Sequence, residues 1–161
     1  MPIHSQSRFR RVTFPVALIL TAPLWLTWTA VYSLVRLCHV VFLYAVVWTY
    51  WIGRARQRVL FVYSDSPHWK THVEASILPR LPANAVVLNW SQRMSWQTFS
   101  LPVLLFRCFA GEREFNPIGL VFERFKVAKP YRFWRAFRDA NHGRPEALQG
   151  LEREFLTDVS R

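Results

Sequence analysis

Apolar positions follow two different patterns along the chain. Residues 14 to 53 form an almost unbroken apolar stretch, in which Arg36 is the one charged side chain and His39 the one histidine. From residue 54 onward, short apolar runs alternate with polar and turn-forming residues, and every acidic residue lies at or after Asp65. We therefore expect a basic flank and membrane segment in residues 1 to 53, followed by a small α/β domain in residues 54 to 161.

The length of the apolar stretch predicts two membrane crossings, because about 20 apolar residues are enough for one. The expected helices span residues 14 to 33 and 37 to 52, with a reversal at residues 33 to 39. Short loops rich in Arg and Lys stay in the cytoplasm, and both ends of the stretch are basic, which predicts a transmembrane helical hairpin with both ends on the cytoplasmic side. The flanking residues are Arg8, Arg10, Arg11, Arg54, Arg56 and Arg58.

Two alternatives to the hairpin stay open, because the expected reversal contains neither Gly nor Pro. One is a single crossing preceded by an interfacial helix, and another is a continuous helical segment that is kinked at Pro23 and lies partly in the interface. A cleaved signal peptide is disfavoured, since no small-residue cleavage site follows the long apolar run. Arg36 and His39 are functional candidates if they lie inside the membrane, but a turn there would put them in the headgroup layer.

The remaining pattern predicts an open, mostly parallel sheet with flanking helices. Residues 59 to 63 are typical of a buried strand, and residues 85 to 90 of a second strand. Between them a helix is expected at about residues 67 to 78, with Asp65 or Ser66 as its cap and Pro67 at its first position. This βαβ order predicts parallel neighbouring strands. Further elements are expected as a helix near residues 102 to 109, a third strand at 118 to 122, a helix at 131 to 141 and a last helix from residue 145.

Composition and charge limit the function classes. The 161 residues are 52% hydrophobic, which excludes a disordered chain, and the 2 Cys cannot build a disulfide scaffold. Lys+Arg exceed Asp+Glu by 21 to 10, giving a net charge of +11. Basic and aromatic residues alternate at 125 to 138, as in nucleic-acid-binding segments, but beside a membrane they favour anionic lipid headgroups. The expected partners are therefore anionic lipid, a partner protein or a second copy of the membrane segment, and nucleic acid is not expected.

Polar residues follow each expected strand and define a candidate ligand site. In open parallel sheets, ligands bind beyond the carboxyl ends of the strands, so these side chains are expected to converge on an anionic ligand. The alternative interpretation, helix caps and an ordinary loop, is favoured over a ligand site. The candidate residues are Asp65, Ser66, His68, Asn89, Ser91, Arg93, Glu123 and Arg124.

Motifs for catalysis or cofactors are weak. A nucleophile elbow, a phosphate-binding glycine loop and a dinucleotide fingerprint are all absent from the sequence, so no cofactor is assigned. His68 and His72 lie four residues apart on one helix face, and Asp65 is the possible third ligand of a metal site, although no metal is expected. We expect a binding module at the cytoplasmic membrane face. The alternative is an enzyme on an anionic or lipid-linked substrate, with Asp65 or His68 as acid/base and Arg93 or Arg124 holding charge.

Overall fold

The apolar stretch folds into one long helix. A computed structural model describes the backbone of residues 6 to 111 and 116 to 161, and the side chains from residue 23 onward within these ranges. Helix α1 spans Gln6–Val46 and continues as a π-helix over Val47–Arg54. The arginines at positions 8, 10 and 11, on which the basic N-terminal flank was predicted, lie outside the described side chains.

The predicted hairpin is not shown, because the backbone is helical through residues 33 to 39. The physical reason lies in the composition of this segment: neither Gly nor Pro interrupts it, and each residue there is compatible with an α-helix. The helix also continues through Pro23. The continuity of the helix agrees with the alternative of one helical segment, whose position in the membrane interface stays a prediction.

Chain packing divides the protein into two compact units, Met1–Phe42 and Leu43–Arg161. The second unit begins within α1, ahead of the boundary at residue 54 that the sequence predicted. Leu43, Val47 and Trp51, spaced four residues apart on one helix face, are at most 2% exposed. The end of the apolar stretch is therefore a core helix of the α/β unit.

Among the described residues, one helix is long and apolar enough to cross a membrane, Pro23–Arg54. A core helix of a soluble protein meets the same criteria of length and composition but is mostly buried, whereas 11% of the apolar window here is buried. Leu24, Leu26 and Val35 are each more than 60% exposed. The burial pattern therefore changes at Leu43, from exposed apolar side chains to packed ones.

The α/β unit contains a four-stranded mixed sheet in the order β2-β1-β3-β4. Its strands are β1 (Val59–Tyr63), β2 (Val86–Asn89), β3 (Ile118–Val121) and β4 (Lys129–Arg132). The parallel pairing of β1 with β2 confirms the predicted βαβ unit. The expectation of a mostly parallel sheet is wrong, since β3 runs antiparallel to β1 and β4 antiparallel to β3.

The reversed direction of β3 has a simple origin. An apolar run indicates that a strand is buried but not which way it points, and the expectation of a mostly parallel sheet requires the helix before β3, observed as α3 (Leu101–Phe109), to be a crossover. The chain enters β3 from the end at which β1 finishes, since Ile118 pairs with Val62.

Strand β4 was missed because Pro130 interrupts its pattern, and Pro is excluded from central strands. Here β4 is the edge strand, where the missing N–H of Pro costs no ladder bond, and Pro130 lies opposite Leu120. The helix predicted from residue 131 consequently begins later, as α4 (Trp134–Asn141). Gly143, at φ 83°, follows its end in the left-handed conformation that favours glycine.

Side chains alternate across the sheet and form a core on each face. Val59 and Phe61 of β1 face helices α4 and α5 (Glu146–Ser160), whereas Leu60 and Val62 face α3 and the end of the apolar helix. Strand β1 is buried along its whole length because it is covered on both sides. The unit thus has three layers, with the sheet in the middle.

The connection between β1 and β2 is less regular than the predicted helix. One α-helical turn, α2 (Lys70–His72), continues as a π-helix over Val73–Ile77 and a 3₁₀ turn over Leu78–Arg80. The first helical bond is nevertheless where the capping pattern put it, because Lys70 N–H donates to the Ser66 carbonyl at 2.9 Å. The Ser66 hydroxyl also accepts from the His68 N–H at 3.4 Å.

Candidate functional site

The carboxyl ends of β1 and β2 meet at one edge of the sheet, as parallel pairing requires, and carry a closed hydrogen-bond network. The Asn89 amide donates to Asp65 Oδ1 at 3.1 Å, and the Asp65 N–H donates to the Ser91 hydroxyl at 2.9 Å. The side-chain oxygen Oδ1 of Asn89 in turn accepts from the Ser91 N–H at 2.9 Å. Three of the predicted site residues are therefore brought together, and each forms hydrogen bonds with the other two.

Lys70 completes this network from the following helix. Its ammonium lies 2.8 Å from Asp65 Oδ1. The hydrogen bond from Lys70, and after it the one from Asn89, lowers the pKa of Asp65 below its usual value. The same bond raises the pKa of Lys70. Asp65 is therefore an ionised partner of Lys70 that ties the ends of β1 and β2 together, and a carboxylate with a lowered pKa is a poor general acid near neutral pH.

Arg93 is placed differently from the network residues. Its guanidinium lies over the Trp90 ring, 5.3 Å from the centroid, and the ring is supported by Trp96 at 5.7 Å and Phe106 at 5.6 Å. Arg93 is exposed, and of the described residues none forms an ion pair with it. The chain thus presents an unneutralised cation on an aromatic platform beyond the carboxyl end of β2, held there by a cation–π contact.

Glu123 and Arg124 do not belong to this edge. Because β3 is antiparallel to β1, its carboxyl end lies beside the beginning of β1, where the Phe122 N–H donates to the Arg58 carbonyl at 2.8 Å. Glu123 pairs there with Lys126, and the Arg124 guanidinium lies 5.1 Å from the centroid of the Phe125 ring. The expected convergence of eight polar side chains is therefore wrong for these two, and the reason is the direction of β3.

His68 and His72 line a separate groove on the α5 side of the sheet. Its volume is about 270 Å³, and its other lining residues include Phe137, Leu148 and Glu152. His72 Nε2 lies 2.5 Å from Glu152 Oε1, and the imidazole ring packs edge-on against Phe137 at 5.4 Å. A carboxylate that orients an imidazole in a groove is an arrangement used in acid/base chemistry.

Asp65 is not placed as the third ligand of a metal site with His68 and His72. The Asp65 carboxylate faces Lys70 and Asn89, and a lysine ammonium occupies the side on which a cation would be held. Glu152, rather than Asp65, is the carboxylate beside His72. Among the residues that the structure describes, no group of three His, Cys, Asp or Glu side chains is placed to hold a metal ion.

Two residues of these sites could not be found from the sequence. Lys70 follows Asp65 by five positions, a spacing that carries no meaning before the turn between them is known. Glu152 lies 80 residues after His72 and is one of three glutamates on α5. Their roles depend on how α2 and α5 pack over the sheet, which is a tertiary property.

Comparisons of the chain with family models, with curated proteins and with solved structures found no match.

Proposed function

We propose that the chain is an integral membrane protein that holds a small basic α/β unit at the cytoplasmic face of a bilayer as a binding module. The observation that carries this proposal is that the apolar side chains of the helix before Leu43 are exposed. Monomeric soluble proteins rarely expose a large contiguous apolar surface of this kind. Lipid is the solvent that such a helix surface requires. Examples, each between 58% and 69% exposed, are Leu24, Trp25, Leu26, Trp28, Val31, Leu34 and Leu37.

A continuous helix crosses the bilayer once. Residues 14 to 35 contain no charged side chain and have the length of one crossing, which puts Arg36 and His39 in the headgroup layer beside the α/β unit. Arginines flank both ends of the helix, so the side is inferred from the α/β unit, in which Lys+Arg exceed Asp+Glu and suit the anionic lipid of the cytoplasmic leaflet. The flanking residues are Arg8, Arg10 and Arg11 before the crossing and Arg36, Arg54, Arg56 and Arg58 after it.

The test is membrane integration of the full chain and of two matched arginine variants. Leu26→Arg puts a charge in the middle of the proposed crossing, where it costs about 3 kcal/mol, whereas Leu37→Arg puts the same charge next to Arg36. After alkaline extraction of membranes, we expect wild type and Leu37→Arg in the pellet and a smaller pelleted fraction of Leu26→Arg. Release of the wild type, or a mature chain that has lost its apolar segment by mass spectrometry, contradicts the proposal.

The binding property that we propose is capture of an anionic group at the carboxyl edge of β1 and β2. Its support is Arg93, exposed and without an ion-pair partner among the described residues. Inorganic phosphate is the simplest probe: it should raise the melting temperature of the wild type relative to chloride at equal ionic strength. Arg93→Gln should lose the increase, and Arg138→Gln, which removes a similar guanidinium stack over Trp134, should keep it. An equal increase in all three proteins contradicts a site at Arg93.

The second candidate function, an enzyme on an anionic or lipid-linked substrate, has its support in a different place from the one that the sequence indicated. The observation is the pair formed by His72 and Glu152 in its groove. Hydrolysis of p-nitrophenyl phosphate and p-nitrophenyl acetate by the wild type, lost in His72→Gln and lowered in Glu152→Gln, would support it. Turnover that is absent in the wild type or unchanged in His72→Gln contradicts it.

A further inference from the structure

The loop between β3 and β4, residues 123 to 128, exposes two large apolar side chains. Phe125 is 71% and Val127 79% exposed. Phe125 also has a φ of 61°, in the left-handed region, where a side chain other than glycine costs about 1–2 kcal/mol. The fold thus holds an aromatic ring outward at a position where a small or polar residue would be less strained. Backbone strain of this kind is typically found at functional sites.

The loop is packed against the end of the apolar helix. The Phe125 ring lies 5.3 Å from the Trp48 ring, and the Ala128 N–H donates to the Tyr44 hydroxyl at 3.1 Å. Tyr44 also contacts Phe109, at 5.0 Å between centroids. Trp48 and Tyr44 both lie within the apolar stretch, and Trp and Tyr are the residues that collect at headgroup depth. Tyr44 follows Arg36 by eight residues, about 12 Å along the helix, so the loop lies level with the outer side of the headgroup layer in which Arg36 is proposed to lie.

Basic groups flank the two apolar side chains. The Arg124 guanidinium lies over the Phe125 ring, and the Lys126 ammonium lies 2.5 Å from Glu123. Long basic side chains keep the charged group at the surface of a membrane while their apolar stems and neighbouring residues enter it. Lys126 is neutralised by Glu123, so Arg124 beside Phe125 is the basic group that suits an anionic headgroup layer, where a well-placed basic residue contributes about 1 kcal/mol.

We propose that this loop is a second membrane contact, in which Phe125 and Val127 enter the headgroup layer of the anionic bilayer that holds the apolar helix. The inference rests on the proposed membrane anchoring. Together with the helix, the loop gives the α/β unit two attachment points at the membrane.

The experiment measures the depth of the loop in vesicles. In full-length chain carrying Cys38→Ser and Cys108→Ser, a single cysteine is introduced as Val127→Cys or, for comparison, as Phe99→Cys, and is labelled with a polarity-sensitive fluorophore. Phe99 is a matched control because it is 88% exposed and precedes the first residue of α3. Tyr44, which the loop contacts, lies against Phe109 at the other end of α3, and the two ends of that helix are about 13 Å apart at 1.5 Å per residue. Vesicles contain equal parts of phosphatidylcholine and phosphatidylglycerol, with spin-labelled lipid as quencher.

We expect at least about twofold stronger quenching at position 127 than at position 99, since interfacial elements lie about 5–10 Å into the headgroup and acyl boundary. Adding Phe125→Asn, a residue that tolerates the left-handed conformation, should lower quenching at 127 and leave position 99 unchanged. Equal quenching at 127 and 99 in protein that floats with the vesicles overturns the inference and leaves the anchoring intact. Protein that does not float contradicts the proposed anchoring itself.

Discussion

Gly119 is the position at which a single methyl group tests the packing of the α/β core most sharply. It lies on β3 between Phe61 of β1 and Tyr131 of β4, and the Phe155 ring of α5 covers it. A Cβ at residue 119 would lie 2.5 Å from Phe155 Cε2 and 2.8 Å from Cζ. Ordinary carbon contacts are about 3.5–4.0 Å, so the ring would have to move by about 1 Å.

Phe155 has no room for that movement. It is fully buried, and its ring centroid lies 5.2 Å from Tyr131, 5.5 Å from Phe133 and 5.8 Å from Phe61. Overpacking of this kind costs about 1–3 kcal/mol, and the upper end applies because aromatic rings surround the site. The smaller chain entropy of alanine in the unfolded state offsets about 0.5–1 kcal/mol. We expect Gly119→Ala to lower the free energy of unfolding by about 2 kcal/mol.

The matched control is Gly150→Ala, which makes the same chemical change on helix α5. Nothing lies within 4 Å of the added Cβ there, and alanine is favoured over glycine in a helix by about 1 kcal/mol. Full-length protein in detergent micelles should be followed by near-ultraviolet circular dichroism, because a helix in a micelle stays helical and would mask the loss of the core. A domain of this size changes its melting temperature by about 3–6 °C per kcal/mol.

The expected result is a decrease of about 8 °C for Gly119→Ala and an increase of about 4 °C for Gly150→Ala. Combining Gly119→Ala with Phe155→Leu should cost less than the sum of the two single changes, since the smaller side chain makes room for the methyl group. If Gly119→Ala is as stable as Gly150→Ala, the Phe155 ring of α5 does not pack against Gly119 of β3.

Three further predictions concern the helix end and two carboxylates. Trp51→Ala should lower the free energy of unfolding by about 3–5 kcal/mol, because the side chain is buried in the core, whereas its exposed neighbour Tyr50 should tolerate alanine. Similar melting temperatures of the two variants would show that the end of the helix does not pack in the α/β core. The hydrogen bond from Lys129 is the chief cause of the lowered pKa of Asp158. The ionised Asp158 therefore stabilises the fold fully above about pH 4, and this stabilisation is lost as the pH falls through the lowered pKa. Asp158→Asn should show a smaller fall in melting temperature between about pH 5 and pH 2 than the wild type, and an unchanged profile would contradict this. Asp65→Asn should change the melting temperature little, because asparagine keeps an oxygen to accept the neighbouring amide, and a collapse of the fold in thermal scans would contradict a surface role.

The parts of the fold that were predictable from the sequence depend on neighbours in the chain. Strand β1, the parallel pairing with β2 and the helix after Pro145 follow from apolar runs and turn residues, and each is observed. The direction of β3 was not predictable, because an apolar run indicates burial but not the direction in which the strand runs. The division at Leu43 was not predictable either, since one apolar helix passes from an exposed to a buried environment without a change in composition.

The candidate site divides in the same way. Asp65, Asn89 and Ser91 meet because they follow two strands that are parallel, which the βαβ pattern indicated. Glu123 was misplaced with the direction of its strand, and Glu152 was missed because only the packing of α5 brings it to His72. Chain-local patterns therefore predicted the part of the site that local pairing assembles, and packing between distant elements determined the rest.

The most direct test of a single crossing is protease protection of the full chain with a different epitope tag at each end, expressed in spheroplasts. Protease added outside should remove the N-terminal tag and leave the C-terminal tag intact, because one continuous helix puts the two ends on opposite sides and the basic α/β unit stays in the cytoplasm. Protection of both tags until the membrane is permeabilised would support the hairpin and contradict the single crossing. Loss of the C-terminal tag would contradict a cytoplasmic α/β unit.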